Sequence, residues 1–276
     1  MSCPDCFNGH MHSGEVQGIE IQHYGIDTYV VEPENAAEVK GLIVVVSDAF
    51  GWKTSNLRLL ADTYAKRTGC RIYLPDFMNG KAAPQWMMSV IDQILTDHSF
   101  YAWMIKPYLV LQAVFAMVPF MISNNPKAAY KTIEKYIGDI RCAEGNNLKI
   151  GAIGFCWGGY SVTQLAHGPR AANGKRLIDA AFTAHPSELS VPDDIEKIKL
   201  PYGVVIGDVD FALSLQKVRE MEDILSKKTD VDSEVTVIPG AKHGFAVRGN
   251  PDDQVVMEMA DQAEDRAVEW FAKYLK

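Results

Sequence analysis

Along this chain, short runs of β-branched and aromatic residues alternate with longer stretches whose apolar positions recur at helical spacing. Val16 to Tyr24 and Thr28 to Val31 predict an opening hairpin around Gly25-Ile26-Asp27. Leu42 to Val46, after Gly41, is continuously apolar, which suits a strand buried on both faces. Further strands are expected at Arg71 to Leu74, Leu148 to Ile153, Ala180 to Thr183, Tyr202 to Ile206 and Glu234 to Ile238. Helical patterns fill Asn56 to Arg67, the stretch opening at Trp157, and Pro251 to Tyr274, where Met259, Ala263, Ala267, Trp270, Phe271 and Tyr274 share one face. Alternating strands and helices predict an α/β fold built on a mainly parallel sheet.

One interval breaks the rhythm. Residues 77–147 are far longer than a single crossover helix requires, and they read as a helical, Met- and aromatic-rich insert ending in Ala128 to Ile140. With no repeat or Gly/Ser linker elsewhere, residues 1–276 read as one domain carrying this cap-like insert. Within it, Pro107 to Pro126 holds no charged residue, long enough in principle for a membrane span. Two prolines, Gln112 and the polar close Ser123-Asn124-Asn125 argue against one, as does the expectation that the segments on either side build a single site. A helix buried in a cap or in a homodimer contact is expected instead, with no stable membrane insertion.

Composition narrows the function classes. Of 276 residues, 47% are hydrophobic and 22% charged, which fits a soluble globular protein. The net charge of −8, with no cluster of Lys or Arg, speaks against a nucleic-acid partner. Five cysteines and an N-terminus without a basic, apolar leader predict a reduced, cytoplasmic protein.

The most informative stretch is Gly154-Phe155-Cys156-Trp157-Gly158-Gly159, between a predicted buried strand and a predicted helix. A Gly-x-Cys-x-Gly run in that context is a nucleophile elbow, ordinarily written with serine. The flanking glycines let strand and helix approach closely, and Cys156 would stand at a helix N-terminus that favours a thiolate or an oxyanion. Read alone, Cys156 is equally well a small buried hydrophobe. Its partners tip the balance. Gly207-Asp208-Val209-Asp210 follows one predicted strand and His243 follows the last, reproducing the α/β-hydrolase order of nucleophile, acid and histidine. A Cys156–His243–Asp210 triad is expected, with Asp208 as the rival acid. Asp48 and Ala49 lie where the loop after the first parallel strand should supply an oxyanion-hole N–H, so the amides of Ala49 and Trp157 would be the two donors.

With these residues in place, the chain resembles the dienelactone hydrolase family, especially its fungal branch. The likeness rests on Cys3-Pro4-Asp5-Cys6-Phe7, Asp48-Ala49-Phe50-Gly51, the Gly-Phe-Cys-Trp-Gly-Gly elbow, Gly-x-x-Asp and His243-Gly244-Phe245 with Arg248 following. It implies an α/β-hydrolase fold that opens a lactone or cleaves an ester through an acyl-cysteine, with no metal or other cofactor. Its Gly-x-x-Asp spacing supports Asp210 over Asp208. An acid at position 48, commonly glutamate in the family, would help activate the thiol, and Arg248 would pair with that acid and with a substrate carboxylate. Phe50 is a further candidate beside the site, and His185, after a predicted strand, either borders the pocket or is a structural histidine.

The family's second carboxylate-binding arginine, known in bacterial members, has no match, since only lysines occur between Arg71 and Arg141. A larger, more apolar small-molecule ester or lactone is therefore expected, in keeping with Trp86, Met87, Phe100, Tyr101 and Trp103 in the insert. Cyclisation or acyl transfer in natural-product assembly, or ligand binding without catalysis, would use the same pocket. Cys3, Cys6, His10 and His12 have a spacing that zinc could use, but four ligands crowded into ten terminal residues do not resemble a structural zinc site.

Overall fold

The apolar runs condense into one eight-stranded sheet in the computed structural model, which describes residues 9–96 and 99–276. The strands are β1 (Ile19–His23), β2 (Ile26–Val31), β3 (Leu42–Val46), β4 (Arg71–Pro75), β5 (Ile150–Phe155), β6 (Ala180–Ala184), β7 (Tyr202–Gly207) and β8 (Ser233–Ile238). Their order is β1-β2-β4-β3-β5-β6-β7-β8, with β1, β2 and β4 paired antiparallel and every later pairing parallel. This is the α/β-hydrolase arrangement. Strand β5 begins at Ile150, opposite Leu42, so the expected start at Leu148 lies two residues early.

The helices are α1 (Ser55–Thr68), α2 (Trp86–Thr96), α3 (Phe100–Ser123), α4 (Pro126–Cys142), α5 (Trp157–Leu165), α6 (Asp193–Glu196), α7 (Leu215–Ser226), α8 (Phe245–Arg248) and α9 (Gln254–Tyr274). Local chemistry sets their ends. Gly69 closes α1 in the left-handed conformation with its N–H on the Ala65 carbonyl, and Asp253 caps α9 by accepting from the Val255 and Val256 amides. Helix α7 escaped the sequence pattern because its buried side, Val218, Met221 and Leu225, is narrow and set among charged residues.

Both faces of the sheet are covered, which is why β3, β5, β6 and β7 are buried along their whole length. Ile133, Ile137 and Ile140 of α4 and Val162 of α5 pack on one face. Leu57, Ala61 and Tyr64 of α1 and Ala267, Trp270 and Phe271 of α9 pack on the other. Glu144, just after α4, ties the end of the insert to the sheet by accepting from Tyr73 and bonding His23 Nε2 at 2.8 Å, with Arg71 at 3.3 Å.

The insert is helical, as expected: α2, α3 and α4 occupy it. Its burial is not as expected. Within this chain the uncharged run is mostly exposed, with only 11% of the apolar span Trp103–Ser123 buried, because α3 turns one narrow side inward and leaves the rest outside.

Candidate active site

Three loops at the C-terminal ends of β5, β7 and β8 bring Cys156, Asp210 and His243 together. Parallel strands force this convergence, since the loops leaving them all emerge at one edge. Cys156 sits between β5 and α5 with φ 48° and ψ −110°, a strained conformation for a residue with a side chain. Close approach explains why glycine flanks it. A Cβ on Gly158 would lie 2.3 Å from the Val46 carbonyl oxygen, and one on Gly154 would lie 2.5 Å from that of Gly158. The Cys156 carbonyl accepts from the Gly159 and Ser187 amides, holding the turn from both sides.

His243 Nδ1 stands 2.9 Å from both carboxylate oxygens of Asp210, and all three groups are almost fully buried. Burial alone would lower the pKa of this histidine, but the Cys156 sulfur and the Asp210 carboxylate outweigh it and push the pKa up to about 9. Asp208, the rival acid, points elsewhere: its carboxylate accepts from the Gly240 amide at 2.7 Å on an exposed loop. Phe211, one residue beyond Asp210, sets its ring 4.7 Å from the His243 ring.

Asp48 is buried beneath the same edge. Its Oδ1 accepts from the Phe50 amide at 3.0 Å and its backbone carbonyl from Gly51, making a tight turn that leaves the Ala49 N–H outside its own hydrogen bonds. Trp157 is the first residue of α5, where helical N–H groups lack an intrahelical partner. Burial and the nearby Cys156 raise the Asp48 pKa against the pull of Arg248, whose Nε lies 3.5 Å from Asp48 Oδ2. The Arg248 guanidinium also lies over the Phe50 ring at 5.0 Å.

A cavity of about 390 Å³ opens over Cys156. Ala49, Trp157 and Cys156 form its floor, while Met117, Phe120 and Met121 of α3 form one wall. Asn124, Asn125, Pro126, Ser187, Glu188, Leu189, Phe211 and Ala212 line the rest. Ser187, whose Oγ is 3.9 Å from Cys156 Sγ, was absent from the sequence reading. Its one signal is position, two residues after His185 at the end of β6.

Other expectations need correction or relocation. Arg248 meets Asp48, as the resemblance implies, but it and Phe50 are buried outside the lining of the cavity above Cys156. His185 is also outside it: fully buried with φ 39°, it packs edge-on against His243 at 5.0 Å. Burial and the neighbouring His243 hold the His185 pKa well below the usual imidazole value, so the ring is neutral. Phe100, Tyr101 and Trp103 lie at the exposed beginning of α3, and the apolar wall comes from the other end of that helix. Cys3 and Cys6 lie outside the described residues, whereas His12 bonds the Gly249 carbonyl at 2.8 Å.

Comparison with known proteins agrees with the fold. Residues 26–275 match the model of the dienelactone hydrolase family. The chain is 27% identical to "Hydrolase pyvD" of Aspergillus violaceofuscus, over 98% of this chain and 96% of that protein. It is 26% identical to the mouse "Carboxymethylenebutenolidase homolog", over 99% and 97% of the two chains. Among solved structures, a putative dienelactone hydrolase from Klebsiella pneumoniae superposes with a TM-score of 0.63 at 19% identity, covering 94% of this chain and 99% of its own.

Proposed function

Because the chain belongs to the dienelactone hydrolase family, we propose that it is a hydrolase that opens a lactone or cleaves an ester through an acyl-cysteine at Cys156. The observation that carries this reading is Cys156 on its strained elbow beside a histidine whose far nitrogen is held by a buried carboxylate. The relatives named as a hydrolase and as a carboxymethylenebutenolidase homolog support the reaction class.

In this reading His243 takes the thiol proton, and the imidazolium formed beside Asp210 keeps the sulfur anionic and nucleophilic. Sγ attacks the carbonyl carbon, and the new oxyanion is received by the Ala49 and Trp157 amides. The tetrahedral intermediate collapses by breaking the C–O bond while His243 returns its proton to the departing alkoxide. In a lactone that alkoxide stays tethered to the product. Water then attacks the thioester with His243 as base, releasing a carboxylic acid and regenerating the thiol. Asp210 fixes the tautomer in which Nδ1 carries hydrogen, so that Nε2 is the nitrogen that exchanges protons. Asp48 acts through the turn it ties, which aims the Ala49 amide, and through its charge beside the sulfur. No cofactor enters any step, and the substrate is a small molecule with an apolar portion matched to Met117, Phe120 and Leu189.

The test is intact-chain mass spectrometry after brief exposure to activated esters and lactones. A mass increase equal to the acyl group less the thiol hydrogen for an ester, or to the whole lactone for a lactone, mapped to Cys156 and absent in Cys156→Ala, is expected. An adduct elsewhere, or Cys156→Ala retaining more than about a hundredth of the turnover, would refute it, since losing a nucleophile costs orders of magnitude.

A further inference from the structure

Helix α3 has an outward face that the hydrolase reading does not use. At 100° per residue, Trp103, Tyr108, Leu111, Phe115, Val118 and Ile122 fall within about 140° of arc. All are exposed, Phe115 and Ile122 to 80% and 78%. Leu109 and Phe120, on the opposite side, are buried, Phe120 within the core that covers one face of the sheet. Taking roughly 200 Å² for an aromatic side chain, the five exposed aromatics of α3 alone present about 700 Å². The largest apolar patch of an ordinary monomer is about 300–600 Å².

Two observations say what covers this face. The first is charge. Between Asp97 and Glu134 the only charged residues are Lys106, Lys127 and Lys131, in a chain whose net charge is −8. An apolar helix bracketed in the sequence by cations, with no acid between them, complements an anionic lipid surface. The second is continuity with the cavity. Met121 belongs to both, since it is 51% exposed and also lines the space over Cys156. A second copy of the chain seated on α3 would cover that mouth, whereas lipid would lead into it.

We propose that α3 lies flat on an anionic bilayer and that esters or lactones with long apolar chains pass from the bilayer, along Met117 and Met121, to Cys156. The substrate class in this proposal rests on the hydrolase reading, but the docking does not. Spanning is a different matter. Leu109 and Phe120 anchor α3 inward, the Asn124 side chain donates to the Lys81 carbonyl at 2.7 Å, and the Trp157 indole donates to the Asn124 carbonyl at 2.8 Å. Pulling α3 across a membrane would dismantle the cavity wall, whereas lying on the surface leaves it intact.

The experiment uses the full chain with vesicles of one part phosphatidylserine to three parts phosphatidylcholine. Flotation should carry the protein with the vesicles, and Leu111→Asp/Phe115→Asp should reduce the bound fraction at least tenfold. Neither residue lines the cavity, so the double variant should keep p-nitrophenyl acetate turnover within twofold while losing at least tenfold on a long-chain ester embedded in the vesicles. Circular dichroism checks that the variant is folded. A wild-type chain that stays behind in solution would overturn the proposal, as would a sedimentation dimer that the double variant dissolves without any vesicle binding. Binding that resists carbonate extraction at high pH would also overturn it, since that marks a span. If the wild type floats but turns over no ester, the hydrolase reading fails and the docking stands.

Discussion

Replacing Asp210 by Asn separates the two acids that sequence left as rivals. The perturbation removes one charge and little volume. In the native site one Nδ1–H faces two carboxylate oxygens at 2.9 Å, with the side chains of both residues buried. A hydrogen bond to a charged group contributes about 1.5–3 kcal/mol, so its weakening alone predicts a ten- to hundredfold fall in kcat/KM. Asparagine also lets the imidazole present the wrong tautomer, which in triads generally brings the loss to the order of 10⁴-fold.

The pH profile gives an independent readout. In the proposed mechanism acylation needs His243 protonated to expel the alkoxide, and its pKa is raised to about 9 despite burial, by Cys156 and Asp210. Activity should therefore fall as pH rises through about 9. Without the Asp210 charge, this alkaline limb should move to lower pH. Asp208→Asn loses only an exposed bond to the Gly240 amide and should stay within about threefold of wild type. The assay is kcat/KM for an alkyl ester or lactone, whose alkoxide needs the proton, from pH 6 to 10, with thermal unfolding as the folding control. Equal damage in the two variants, or an alkaline limb unmoved in Asp210→Asn, would refute the assignment.

Gly158→Ala should cost on the order of 3 kcal/mol or more, because its Cβ would meet the Val46 carbonyl oxygen at 2.3 Å and rigid backbone cannot yield; urea unfolding checks this. Glu144→Gln should cost about 1–2 kcal/mol at pH 7, allowing for partial solvent screening. Burial opposes ionisation of Glu144, but His23, Tyr73 and Arg71 overcome it and lower the pKa to about 2. Because the folded-state value lies below the ordinary glutamate value of 4.5, this contribution is present above that pH and should be lost as pH falls toward 2. The variant should flatten the acid limb of stability, measured by urea titration between pH 2 and 6. Met117→Trp should narrow the cavity of about 390 Å³ and lower kcat/KM for bulky acyl groups more than for acetyl, measured across a chain-length series of esters.

What the sequence determined by itself was whatever depends on near neighbours in the chain. Each of the eight strands is a short apolar or alternating run, and for β3, β5, β6 and β7 burial on both faces leaves such runs few alternatives. The elbow is equally local: Gly154 and Gly158 flank Cys156 because two backbones must nearly touch there. His243 and Asp210 were legible because each follows a parallel strand directly, and strands of one direction deliver their loops to one edge.

Tertiary structure decided the rest, where residues of the same character face different surroundings. Asp208 and Asp210 are two positions apart, and only the turn between β7 and α7 separates the one bonded to Gly240 from the one bonded to His243. Arg248 and His185 carry side chains suited to a pocket, yet packing keeps both out of the cavity lining, Arg248 on the Asp48 that the resemblance gave it and His185 beneath His243. Helix α3 is apolar nearly all round, so no periodicity could say which side would be covered. Contacts with the rest of the chain bury Leu109 and Phe120 and leave Phe115 and Ile122 outside. Hydrophobicity states that a surface is costly in water, but only the arrangement of the other elements states which part of it the protein itself removes.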